Sequence, residues 1–293
     1  MKINHNLICL LLPLISYFSL SLQAAEFPIE EKYIRFEENK IQLAKKTFRN
    51  NAGMSITLLA AQHVADSDFY EAHKILLEQA DMVLFEGKGL DEEGSKFNLS
   101  ELGQLNRKIT DRHFLVANAF GLSYQLDYTD YRKSNFIHAD YSFEQTATME
   151  KFDTIEAMIS QIKKNIEDIK EKFSHQSNEP LQFYFEQEVN KFSELGIAAY
   201  FSQAIPFLLM DEMQLKQKIN NAEWYENEFT KRNQIVEEKL AEILGKQQTQ
   251  SQKAPHIIIY YGAAHMPHFE RVIKERYSFL PESQEWFTSI SLE

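Results

Sequence analysis

The chain of 293 residues carries 43 acidic against 31 basic side chains, a formal net charge of -12, and is 44% hydrophobic. That length and apolar fraction suffice for one large domain with a sizeable core. The acidic balance, without any cluster of Lys and Arg, argues against a phosphate-backbone partner, so nucleic acid is set aside.

The N-terminal "MKINHNLICLLLPLISYFSLSLQAAEFP" has Lys2, an apolar run from Leu7 to about Leu22, and then Ala24 and Ala25. This is the pattern of a secretory signal peptide spanning residues 1–24, which sends the chain to the periplasm or the exterior. An uncleaved membrane anchor is the alternative. Cys9, the single cysteine, lies within this segment, so the remainder has neither disulfides nor thiol chemistry. Beyond it no stretch reaches the length of a spanning helix.

Residues 25–293 read as one α/β domain with a mixed, largely parallel central sheet flanked by helices. "KYIRFEENKIQLAKKTF" alternates around a Glu-Asn-Lys turn and predicts an opening β-hairpin. "SITLLAAQH", Ser55 to His63, predicts a buried strand. Asp66 or Ser67 then caps a helix with Phe69, Ala72, Leu76, Leu77 and Ala80 on one face. "DMVLFEG" follows as a second, parallel strand, closing a βαβ unit. A second helix spans about Ser100 to Phe120 and ends at Gly121, and "LSYQLDYTDY" is the expected third strand. Residues of approximately 143–220 form an amphipathic helical insertion. A further helix, "EFTKRNQIVEEKLAEIL", stops at Gly245. The Gln/Ser-rich "KQQTQSQKAP" then leads as a loop into the last buried strand, Ile257 to Tyr261.

Ligands of open parallel sheets bind beyond the carboxyl ends of the strands. His63, Glu86 and His265 all stand at such ends, close enough in principle to share one ion. Two imidazoles and a carboxylate suit a catalytic divalent metal, whether manganese, cobalt, zinc or iron. Plain readings stand beside this one. His63 could start a loop, Glu86 could pair with Lys88, and His265 could belong to the N-cap of the helix that Pro267 starts.

"SITLLAAQHVADSDFYEAHKILLEQADMVLFEG", "NFIHADYSFEQ" and "IIIYYGAAHMPHFERVI" resemble the TraB/GumN family, which is related to the Tiki proteins, regarded as metal-dependent proteases. "GAAH", Gly262 to His265, matches one family Gly-x-x-His motif, and "FEG" supplies the glutamate, Glu86. In the other motif, "AAQH", Ala60 stands where the family has glycine. The resemblance implies an exported, metal-dependent amide hydrolase of largely uncharacterised type, acting on a peptide or small-molecule substrate. In that reading His63 and His265 hold the ion, and Glu86 is the third ligand or the base.

The resemblance also covers Asp130, Tyr131, His138 and Asp140. Asp140 or His138 would be a fourth ligand, an orienting group or a substrate contact; a structural turn explains them as well. Arg232, in "KRN", would hold a substrate carboxylate or oxyanion, or be an exposed helix arginine. His268 is not required by the pattern, and His73, His113, His175 and His256 read as structural or surface residues. The competing function is a non-catalytic exported protein that sequesters a peptide, haem or another small ligand with the same strand-end residues.

Overall fold

The computed structural model describes residues 32–208, 222–247 and 254–292. The expected signal peptide, the end of the helical insertion and most of the Gln/Ser-rich loop lie outside the described residues.

The hairpin forms as expected. β1 (Ile34–Glu37) and β2 (Lys40–Arg49) pair antiparallel around Glu38 and Asn39, both at positive φ, the conformation of a tight turn that matches strand twist. β3 (Ser55–Ala61) is buried at every position and pairs antiparallel with β2. After the short β4 (Val64–Ala65), α1 (Ser67–Gln79) starts after Asp66 as expected and leads to β5 (Met82–Phe85), but the Asp66 side chain makes no capping bond and accepts the Ser291 N–H instead.

α2 (Glu92–Leu99) precedes the predicted second helix, which is itself broken into α3 (Glu101–Thr110) and α4 (Arg112–Phe120). Asp111 makes the last break by accepting the His113 and Phe114 backbone N–H groups, a cap that competes with continued helix. Gly121 ends α4 in the left-handed conformation, at φ 66°. The expected strand from Leu122 is overturned. Only β6 (Ser123–Tyr124) extends, against β4, before the turn α5 (Gln125–Tyr128), and the strand of the main sheet is β7 (Phe136–His138).

The helical insertion comprises α6 (Phe143–Met149), α7 (Ile155–Phe173), α8 (Pro180–Ser193) and α9 (Ile197–Leu208). Met158, Ile162 and Ile166 of α7 share an apolar cluster of their own with Ile109, Phe143 and Ala147. α10 (Ala222–Tyr225) passes through a π-helical turn, Glu226–Thr230, into α11 (Lys231–Gln247). β8 (His256–Gly262), α12 (Met266–Glu275) and β9 (Leu280–Ser291) close the chain.

The sheet order is β1-β2-β3-β8-β5-β7, with β9 pairing β2. β3, β8, β5 and β7 are mutually parallel, so the sheet is mixed but parallel where its strand ends matter. β3 and β5, the successive strands of this sheet in chain order, are separated by β8, which inserts its carboxyl end between theirs. β8 is buried along its length because both its faces are covered: Ile257, Ile259 and Tyr261 join one core cluster, Ile258 and Tyr260 the other. Among the described residues no helix is long and apolar enough to cross a membrane.

Candidate active site

The strand order decides what meets at the carboxyl edge. His63 follows β3, His265 follows β8, and Glu86 follows β5, so the three predicted residues come from three neighbouring strand ends with His265 in the middle. Asp140, two residues past β7, extends the row by one strand.

Arg232, on the first turn of α11, ties this row together. Its Nε and Nη2 donate to Asp140 Oδ1 and Oδ2 at 2.9 and 2.7 Å, a bidentate fork, and Nη2 also donates to Glu86 Oε1 at 2.5 Å. Glu228 lies 3.6 Å from Nη1 and is itself paired with Lys88 at 2.6 Å. Arg232 is therefore neither an exposed helix arginine nor a free hand for a substrate carboxylate: it is buried, and its charge is spent on the protein's own carboxylates. Lys88 is not the partner of Glu86 either.

Asp140 is saturated. Besides the two Arg232 donors it accepts the Gly87 and Tyr141 backbone N–H groups, and its side chain is fully buried. It is a positioning residue that locks Arg232 and the turn after β5. His138 donates from Nε2 to the Gly87 carbonyl at 2.7 Å, holding the same turn. Asp130 lies apart, exposed and paired with Arg132, and Tyr131 packs on Phe85 with its ring centroid 4.7 Å away.

Glu86 uses both oxygens, Oε1 on Arg232 and Oε2 on the Gly262 backbone N–H. Burial pushes its carboxyl up, but Arg232, followed by His265, His63 and the Gly262 N–H, outweighs burial and holds it at about 2. Glu86 is thus a carboxylate at any working pH and a poor proton acceptor.

Each histidine has its tautomer set by an amide oxygen, which can only accept. Asn233 Oδ1 lies 2.7 Å from His265 Nδ1 and Gln125 Oε1 lies 3.0 Å from His63 Nδ1, so both Nδ1 atoms carry the proton and both Nε2 atoms keep a lone pair. His265 is buried, stacked on Phe229 at 4.7 Å and edge-on to Tyr261 at 4.9 Å. That burial, opposed in part by Glu86, lowers it to about 4. His63 is exposed and rests on the ring of His113 at 4.5 Å.

Sequence reasoning missed Gln125, Asn233, His113 and Phe229. Asn233 was signalled only as the neighbour of Arg232, and Phe229 sits in the π-turn, a distortion that is common at functional sites and has no simple sequence signature. His268 points to Glu237 at 2.7 Å instead of joining His265.

A divalent ion needs about three protein donors and an open position. The tautomers of His63 and His265 suit ligation, but Glu86 already accepts a bond on each oxygen and lies against a fixed guanidinium that repels a second cation. Among the described residues no three His, Cys, Asp or Glu side chains gather so as to hold an ion. The metal set expected from the resemblance does not fit this arrangement.

Compared with known proteins, the chain matches no family model, no curated protein and no solved structure.

Proposed function

We propose that this chain is an exported hydrolase of peptide or related amide bonds, working at the carboxyl edge of its parallel strands. The resemblance to TraB/GumN proteins motivates the reaction class. The observation that carries the reading is the convergence of His63, Glu86 and His265 on one strand edge, each with an assigned partner: Gln125, Arg232 and Asn233. A buried carboxylate held well below its ordinary range by a guanidinium, beside two imidazoles of fixed tautomer, is the kind of perturbed group that gathers at catalytic sites. Hydrolysis needs a lone pair to take a proton from water and a fixed field around the reacting carbonyl, and this arrangement supplies both. Nothing in the geometry selects a substrate sequence.

The test is incubation of the purified protein with a randomised peptide library, with and without added manganese, cobalt, zinc or iron, followed by mass spectrometry. New peptide termini are expected, and His63→Ala should lower their rate of appearance by a factor of about 100 to 10,000. Tight peptide binding without cleavage under every condition would replace this reading with that of a sequestering protein.

A further inference from the structure

We propose that the guanidinium of Arg232 is the resident cation of this site and that the exposed imidazole of His63 is its proton acceptor, so that hydrolysis proceeds without a divalent ion. This rests on the hydrolase reading above and departs from the metal dependence that the resemblance implies.

The place a metal would take is already served. One guanidinium reaches two oxygens of Asp140 at 2.9 and 2.7 Å and one of Glu86 at 2.5 Å, with Glu228 at 3.6 Å. The side chains of Arg232, Glu86 and Asp140 are exposed by only 9%, 9% and 0%, so solvent screens little of this attraction. An ion claiming Glu86 would have to share oxygens that already accept from Arg232 and the Gly262 N–H, and would meet the repulsion of the guanidinium at short range. The remaining carboxylates are no substitute: Asp140 already accepts four donors, and Glu228 is held by Lys88.

Access then singles out His63. Among His63, Glu86, His265, Arg232 and Asp140 it is the one exposed residue, and its Nδ1–H is fixed on Gln125, so Nε2 keeps the lone pair on the one imidazole of the site that solvent reaches. The step balances without a co-reactant. Water passes a proton to His63 Nε2 as its oxygen bonds to the carbonyl carbon. The amide nitrogen takes that proton back as the C–N bond breaks, which returns neutral His63, a carboxylic acid and an amine. Glu86 and Arg232 stay charged throughout as the fixed field beside the reaction.

Two measurements decide it. The protein is dialysed against chelator until elemental analysis finds no stoichiometric metal, then assayed on the peptide library. Cleavage within about twofold of the untreated rate is expected, together with its loss in His63→Ala. Cleavage that vanishes on stripping and returns with manganese, cobalt, zinc or iron would overturn the proposal while leaving the hydrolase reading intact. Calorimetric titration of manganese and of zinc into the stripped protein gives a readout independent of activity: no saturable site is expected. One-to-one uptake that disappears in His63→Ala would overturn the proposal even if no peptide is cleaved. An absence of cleavage in every sample would remove the hydrolase reading and this step with it.

Discussion

Gly262 shows how much of the site turns on single atoms. Its φ is -52°, which any residue adopts, so its value lies in space and not in backbone freedom. A Cβ built there would stand 2.9 Å from Glu86 Oε2, and Glu86 cannot swing away because Arg232 holds its other oxygen. Gly262→Ala is therefore expected to push Glu86 off the Gly262 N–H and to destabilise the protein by about 1 to 3 kcal/mol, measured by urea unfolding. A cost below a few tenths of a kcal/mol would show that the carboxylate relaxes freely. The same reasoning explains why "GAAH" is legible as a small-residue stretch in sequence, while the reason, the closeness of Glu86, is not.

At the scale of the element, α1 carries a buried histidine that sequence alone did not mark. His73 follows Phe69 by one turn and packs within 3.8 Å of its ring centroid, with Tyr260 and Phe287 at its edges and no hydrogen-bond partner on either nitrogen. Burial, helped by the charge of Lys45, lowers it from 6.5 to about 3. The unfolded chain binds a proton at this residue below pH 6.5 and the folded chain does not until about 3, so stability is full above 6.5 and is lost as pH falls through that window. The loss is on the order of 5 kcal/mol at the acid end. His73→Phe should flatten the acid limb of a stability–pH curve from thermal melts and raise stability near pH 5. An unchanged acid limb would mean that His73 is not the group responsible.

For the whole molecule, the last strand closes the sheet. Every residue of β2 from Lys40 to Arg49 lies in register with β9, with small shifts at two points, and Ser289 and Ile290 are completely buried. Asp66, at the start of α1, is bonded to β9 from both directions, its N–H to the Ser289 carbonyl and its carboxylate to the Ser291 N–H. Lys46 of β2 also reaches Glu270 of α12 at 2.9 Å, and Tyr33 donates to the same oxygen at 2.7 Å. Chains ending at Phe279 would leave the whole edge of β2 unpaired, and are expected to lose cooperative thermal unfolding and to aggregate. A soluble truncated chain with an intact unfolding transition would show β9 to be dispensable.

The hairpin, β3, the start of α1, β5, β8 and the left-handed stop at Gly121 were all readable from sequence, because each is written in local chemistry: apolar runs bounded by turn and cap residues. The strand-end positions of His63, Glu86 and His265 followed from the same local patterns. What local pattern could not reveal is who stands next to whom. β8 enters between β3 and β5 although it follows them by most of the chain, and that insertion alone makes His265 the centre of the site. The segment after Gly121 alternates like a strand, yet Gln125 is drawn into a helical turn where its amide meets His63. β9, largely exposed in its first half, carries no apolar run to announce it and exists through its pairing with β2. Arg232 reads on its own helix as a surface charge. Only the tertiary structure brings Glu86 and Asp140 from other strand ends to join Glu228, one turn before it, because a charge can leave water only where folding has gathered its counter-charges.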